Sequence, residues 1–345
     1  MRSYLYYGPQ DIRLEEQSIP IPQEGEILVK NLYAVTGGTD LKTFLRGHPK
    51  IIKEIPSAFG YEFIAEVYDK HCSVKDFNIG DYVVPANTVP CFNCYFCNKK
   101  EYSLCENLDF LNGAFSEYVL LPARIVKHNL YKVSNLCKLK ELTLTQTLAV
   151  ALHGFKRSLI KDTDKVIVYG LGPIGQTFIK LIKYFTKATV YAYARSEWKL
   201  NLAKENGADE LININNLSKN EIIDLSSSLL KYGADVVIEA VGKTDAWEIC
   251  LDLVRKGGLI NYFGGCPKGT SISVDTFRLH YDEVKLMGVF HHSPEYMKEA
   301  FELISSNTIS MRNLISETFL LDDLKKALEL HEEGKVLKTL IKLRQ

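Results

Sequence analysis

The sequence predicts an α/β fold in two parts: an irregular, mostly antiparallel β-rich region, then a doubly wound parallel sheet. Three observations carry that expectation. Between residues 27 and 133, short alternating apolar runs are broken by Gly, Pro and Asn. Beyond Leu142 the apolar period changes, and strand-like runs begin to alternate with amphipathic helical ones. The 345-residue length also exceeds one ordinary domain of about 100–200 residues, so two packed units are expected.

In the first region, residues 26–30, 63–67, 82–84 and 118–120 read as short strands broken by Gly, Pro and Asn. A helix follows over 145–157. The apolar run 165–169 reads as a buried strand, with a helix over 174–185, a strand over 189–193 and a helix over 199–206. A strand over 236–238, a helix over 245–254 and a strand over 259–263 complete the alternation. Helical sections over 295–305 and 321–333 precede a last strand over 337–343, placed to return to the first region.

Lys plus Arg and Asp plus Glu are 42 each, so no net basic field exists to hold nucleic acid or an anionic membrane. No apolar stretch approaches the roughly 18 residues of a membrane helix, and the first eight residues lack the apolar core of a signal peptide. The expectation is a cytoplasmic protein with a small-molecule partner and no nucleic-acid or membrane partner. Eight cysteines in such a chain argue against a disulfide framework.

Gly170-Leu171-Gly172-Pro173-Ile174-Gly175 directly follows the buried strand and opens the next helix. In that context the first Gly permits the tight turn, the second lets backbone approach a pyrophosphate, and the third allows close helix–strand packing. A purely structural glycine turn is the alternative. At the end of the second strand, where an NAD enzyme places an acid against the ribose 2′-hydroxyl, stand Ala194, Arg195 and Ser196. A small residue followed by Arg and a hydroxyl accepts a 2′-phosphate that a carboxylate would repel, so NADP(H) is the expected cofactor. A solvated Arg at a strand end is the bland alternative.

Cys91-x-x-Cys94-x-x-Cys97 with Cys105 supplies four soft ligands on one short loop, the number that a closed tetrahedral zinc site requires. An iron–sulfur cluster is the rival for the first three. With every position filled by Cys, the metal would be structural, one zinc per chain.

Taken with Gly37-Gly38-Thr39-Asp40-Leu41-Lys42, Phe59-Gly60-Tyr61-Glu62, Gly80-Asp81-Tyr82-Val83, Gly113-Ala114-Phe115-Ser116-Glu117-Tyr118, Leu148-Ala149-Val150-Ala151-Leu152-His153 and Ala234-Asp235-Val236-Val237-Ile238-Glu239, these pieces carry a resemblance. The chain resembles the zinc-containing medium-chain dehydrogenases, in their alcohol, sorbitol and threonine dehydrogenase branch, along essentially its whole length. The resemblance implies a GroES-like catalytic β domain built from 1–150 plus 286–345, with the cysteine lobe at about 88–108. A Rossmann domain, 151–285, would be inserted, and relatives form homodimers or homotetramers.

Family members also carry a catalytic zinc, and here the sequence departs from them. Gly37 stands in the position of the family's Cys, Tyr61 in that of its His, and Gln146 in that of a carboxylate; of the usual set only Glu62 survives. A carboxylate with a neutral amide and a phenol is a poor zinc site, so no catalytic zinc is expected.

Without that metal, Tyr61 is the candidate general acid, and an unperturbed phenol near pH ~10 needs a cation beside it. Lys42 is the candidate, because in the family its position often ends a proton relay that begins at the position of Thr39. Thr39, Lys42 and Tyr61 thus form the expected relay, with Glu62 and Gln146 orienting substrate and His291 as a substrate contact. The bland readings are that Tyr61 fills the metal's space, Thr39 finds a backbone partner, Glu62 pairs with a buried cation and His153 simply packs.

The expected function is an NADP(H)-dependent oxidoreductase interconverting a ketone and a secondary alcohol on a sugar or polyol. Lys42, Arg46, Lys50 and Lys53 raise a phosphorylated or nucleotide-linked sugar as a variant of it. Its rivals are a zinc-free enone or quinone reductase, whose members generally lack the four-cysteine lobe, and a non-catalytic dinucleotide-binding protein.

Overall fold

The computed structural model describes residues 1–48 and 51–343, so Lys50 of the basic cluster lies outside the described residues. The chain divides into two compact units, Met1–Ala149 with the chain from His292 onward, and Val150–His291. The return to the first unit comes later than the expected residue 286. The reason is the strand Lys285–Gly288, which pairs in parallel with Val254–Tyr262 and completes the second unit's sheet.

In the first unit the central strand is Ile27–Val35, buried along both faces. It pairs antiparallel with Phe63–Lys70, with Tyr118–Leu121 and with the C-terminal strand Lys338–Lys342, placing Leu340 opposite Val35. Tyr82–Pro85 and Leu130–Lys132 extend the sheet on one side, and Ile315–Leu320, parallel to Lys338–Lys342, extends it on the other. A hairpin of Arg2–Gly8 and Asp11–Glu16 lies ahead of the first expected strand, with Tyr4 opposite Leu14 and Tyr6 opposite Ile12. Tyr6, Phe59, Phe63 and Phe115 anchor the core beneath it. Burial of such rings, about 1.5–3 kcal/mol each, holds these irregular strands together.

The second unit is a six-stranded parallel sheet in the spatial order Glu210–Asn213, Thr189–Ala194, Lys165–Tyr169, Ala234–Glu239, Val254–Tyr262, Lys285–Gly288. That is a doubly wound order, reversing between Lys165–Tyr169 and Ala234–Glu239, where such sheets bind ligands. Ile167 sits between Tyr191 and Val237. The helix Pro173–Phe185 covers the sheet with Phe178, Ile179, Leu181 and Ile182. The short strand Glu210–Asn213 and the helix Lys219–Leu229 are additions to the expected alternation. No helix among the described residues is long and apolar enough to cross a membrane.

Candidate functional site

The glycine turn sits at the carboxyl end of Lys165–Tyr169, at the reversal point of the sheet. Each of its glycines answers a different demand. Gly170 has a φ of 101°, and a Cβ there would meet Val241 Cγ2 at 2.5 Å. At Gly175 a Cβ would lie 1.9 Å from the Gly170 carbonyl oxygen, so helix and strand approach closely only without one. Gly172 has an ordinary φ of −72° and caps the helix Pro173–Phe185 without a side-chain hydrogen bond. An added Cβ at Gly172 would meet nothing within 4 Å, so neither backbone nor packing demands glycine there. Open space before the amides of an uncapped helix, with Pro173 and Ile174 starting it, fits a dinucleotide pyrophosphate.

One strand over, Ala194 ends Thr189–Ala194, Arg195 is exposed, and Ser196 precedes the helix Glu197–Glu205 without capping it through its hydroxyl. Glu197, the nearest acid in sequence, accepts from Asn213 Nδ2 at 3.0 Å. A guanidinium and a hydroxyl are therefore presented beside a strand end that carries no acid.

In the first unit, the ligand sulfurs of Cys91, Cys94, Cys97 and Cys105 all lie within 4.8 Å of one another. Two of the separations, Cys91–Cys97 and Cys94–Cys105, are 3.9 Å. A tetrahedron with Zn–S near 2.3 Å has S···S edges of about 3.8 Å, so the four thiols fit a zinc ion. Backbone amides of Cys97 and Glu106 draw the Cys94 thiol down to about 6, while burial pushes Cys97 up to about 12.

The remaining candidates meet where Ile27–Val35 ends. The Val35 N–H donates to the Glu62 carbonyl and the Thr36 N–H to the Thr339 carbonyl, both at 3.0 Å. These bonds fix Gly37, Glu62 and Lys338 side by side. Thr39, Asp40 and Lys42 lie on the helix Gly38–Arg46. Gln146 and Thr147 are in the first turn of Thr145–Ser158. The Glu62 carboxylate pairs with the Lys338 ammonium, their side chains 5% and 4% exposed, and accepts from Thr147 Oγ1 at 3.1 Å through both oxygens. Glu62 is thus held by a buried cation rather than turned toward a substrate.

Tyr61 is buried and hydrogen-bonded to Thr39, and its phenol is pushed well above the usual range by burial and by the Asp40 and Glu62 carboxyls. This corrects the electrostatics expected of the relay. Lys42 is exposed, and the cation beside Glu62 and Asp40 is Lys338. Lys338 escaped the sequence reading; its one signal was a lysine inside the apolar run from Val336 to Ile341. Gln146 is buried, and its Oε1 has no hydrogen-bond partner among the described residues. His153 is tied through Nδ1 to the His291 carbonyl at 2.8 Å and, buried, has its pKa lowered, which is packing behaviour; His291 itself is half-buried and closes the second unit.

Asp40 accepts the Gly37 N–H at 2.8 Å, and burial pushes its carboxyl up to about 8, with Glu62 adding to the rise and Lys338 opposing it. A carboxyl raised by folding binds a proton that the unfolded chain has already released. Its contribution to stability is full below about pH 4, the unfolded value, and is lost as pH rises through the folded value. Asp40→Asn, whose amide oxygen can still accept from Gly37, is therefore expected to flatten the decline of Tm between about pH 5 and 8. Glu239, raised to about 7 by burial, adds to the same decline in the second unit, so the readout is the difference between variant and parent. Parallel Tm curves would show that Asp40 folds already ionised.

A doubly wound unit with a glycine phosphate turn, joined to a β unit with a four-thiol lobe, defines a dinucleotide-dependent dehydrogenase architecture. Residues 23–132 match the model of the alcohol dehydrogenase GroES-like domain, and residues 173–306 that of the zinc-binding dehydrogenases. An erythritol/L-threitol dehydrogenase of Mycolicibacterium smegmatis is 31% identical over 97% of this chain and 95% of its own. The sorbitol dehydrogenase of Bacillus subtilis is 24% identical over 95% and 93%. Among solved structures, a zinc-binding dehydrogenase of Sinorhizobium meliloti bound to NADP superposes with a TM-score of 0.89 at 24% identity, covering 99% of both chains. The chain belongs to the medium-chain dehydrogenases, in their zinc-type alcohol and sorbitol dehydrogenase branch.

Proposed function

We propose that the protein is an NADP(H)-dependent oxidoreductase that interconverts a ketone and a secondary alcohol on a polyol skeleton without a catalytic zinc. One observation carries the zinc-free reading: Gly37 offers no donor, Tyr61 a raised phenol, Gln146 a neutral amide, and Glu62 a carboxylate already claimed by Lys338 and Thr147. Three protein ligands cannot be assembled from that set. The residues at this position do not fit the metal, so no step runs through one.

When bound, the reduced dinucleotide supplies a hydride, with its electron pair, to the carbonyl carbon. The chain's own residues then manage the oxygen. Tyr61, protonated throughout the neutral range, donates to it, and Thr39 is the hydroxyl through which the phenol recovers a proton. Gln146 Oε1 is placed to accept from a substrate hydroxyl. A polyol skeleton is supported by relatives named for erythritol, L-threitol and sorbitol. Lys42, Arg46 and Lys53 are exposed, which favours a solvated face over a phosphate subsite.

The coenzyme is tested directly. Ketose reduction is expected to prefer NADPH over NADH in kcat/KM, and Arg195→Ala to lower the NADPH value about 10–100-fold with little effect on NADH. That is the range of one charge-assisted hydrogen bond to the 2′-phosphate, about 1.5–3 kcal/mol. Equal efficiency with both coenzymes in the parent would overturn the NADP(H) assignment. Oxidation of NADPH by enones but by no ketose would place the chain with the enone reductases instead.

A further inference from the structure

We propose that the Lys338 ammonium does the electrostatic work of a catalytic metal in this chain, facing the substrate's carbonyl oxygen and stabilising the negative charge that forms on it. The inference rests on the zinc-free reading above and names the group that replaces the metal.

Gly37 carries the first part of the argument. Its backbone, φ −145° and ψ 172°, is extended and open to any residue, so glycine is not there for conformation. It is there for room. A Cβ at Gly37 would stand 3.0 Å from Lys338 Nζ, 3.5 Å from Asp40 Oδ2 and 3.7 Å from Tyr61 Oη. A cation, a carboxyl and a phenol thus ring the space that a side chain at this position would fill.

The second part is the way Lys338 is held. Its residue is 3% exposed at the start of Lys338–Lys342, and the strand is bolted to residue 36 by the Thr36–Thr339 hydroxyl pair at 2.6 Å and by the Thr36 N–H. Glu62, braced by Thr147, fixes the ammonium from one side. An ammonium has three donors and Glu62 accepts one of them. Asp40, with its proton retained below about 8, adds no second anion there at neutral pH. The third part is Gln146, next to Thr147 in sequence: a side chain nine-tenths buried with an unused acceptor oxygen calls for a donor from outside the chain.

The step balances. The carbonyl carbon takes the hydride, the C–O π pair moves onto oxygen opposite the ammonium, and Tyr61 gives that oxygen one proton. The phenolate left behind regains a proton from solvent through Thr39. Preorganised charge in a water-poor site is the form of stabilisation that zinc otherwise supplies.

The test begins with metal content. One zinc per chain is expected; two would overturn the zinc-free reading itself. In Glu62→Gln/Lys338→Ala, which removes both charges so that neither is left buried alone, kcat for ketose reduction is expected to fall about 100–1000-fold. Added methylammonium should restore at least about tenfold of it, the recovery expected when a lone ammonium can re-enter the site. Gly37→Ala is expected to lower both kcat and Tm in the parent, by crowding the ammonium, and to leave Tm unchanged in the double variant, a readout that needs no cofactor. With one zinc per chain, parental turnover in the double variant, turnover deaf to methylammonium, or a Gly37→Ala penalty equal in both backgrounds would each overturn the role of Lys338 alone.

Discussion

Cys97→Ser is expected to abolish the zinc binding proposed for the four thiols and to release residues 91–105 from their fold while both larger cores persist. The lobe has little else to hold it. Its regular structure is the four-residue helix Tyr95–Asn98 and the three-residue turn of helix Tyr102–Leu104. Its core is a satellite of Cys94, Cys97 and Cys105 with Cys91, Phe96, Tyr102 and Leu108, separate from the main core. A structural zinc contributes about 10–16 kcal/mol at neutral pH in isolated four-ligand peptides, far more than those side chains supply by burial. In the parent stripped of metal, the Cys97 thiol, pushed up to about 12 by burial, returns to its proton, and nothing draws the four sulfurs together. Phe92, packed against the main core and His128 at 4.5 Å, is where the disturbance should stop. The measurement is zinc content with limited proteolysis: rapid cleavage within 91–105 in the variant, and in the parent after chelation, against resistance in the untreated parent. A parent that holds no zinc, or a variant as resistant as the parent, would remove the metal from the account of this lobe.

The parts of the molecule legible in the sequence are those whose chemistry is local. Six consecutive residues carry the whole phosphate turn, and fifteen carry the four thiols, so no knowledge of long-range pairing was needed. The strands and helices of the second unit were legible because each is long enough to show a period. The N-terminal hairpin, Arg2–Gly8 and Asp11–Glu16, was passed over although Tyr4 and Tyr6 alternate with outward residues. Its register is set by the two-residue turn Pro9–Gln10, which leaves Gly8 opposite Asp11 with Gln10 at a φ of 64°, and its inner face packs with Phe59 and Phe115 in the first unit's core. The centre of the first unit was legible only by halves. The losses at Gly37, Tyr61 and Gln146 stand in the sequence, but the cation that completes them lies 276 residues beyond Glu62. A lysine at the start of a strand ordinarily reads as solvated. Only the return of Lys338–Lys342 beside Val35 buries it against a carboxylate.

Tyr61→Phe is expected to lower kcat for ketone reduction by about 10²–10⁴, the usual range for loss of a positioned general acid, with a far smaller change in KM. The ring stays and only Oη goes, so the core around it should be undisturbed. The direction of the phenol's shift fixes how the parent behaves with pH. Burial, Asp40 and Glu62 all favour the neutral phenol, and the hydrogen bond from Thr39 only partly opposes them. Ketone reduction therefore finds its proton donor fully loaded across the neutral range. Alcohol oxidation needs the phenolate, which even at an unperturbed value near 10 would make up only about one part in a thousand at pH 7. Oxidation should accordingly climb with pH without a plateau below about 10, while reduction shows no alkaline limb from Tyr61. A limb near the Asp40 value of about 8 would belong to that carboxyl, to be lost in Asp40→Asn and kept in Tyr61→Phe. An oxidation rate that levels off near neutrality would mean a phenol lowered by a neighbouring cation, removing the reductive bias argued for the site.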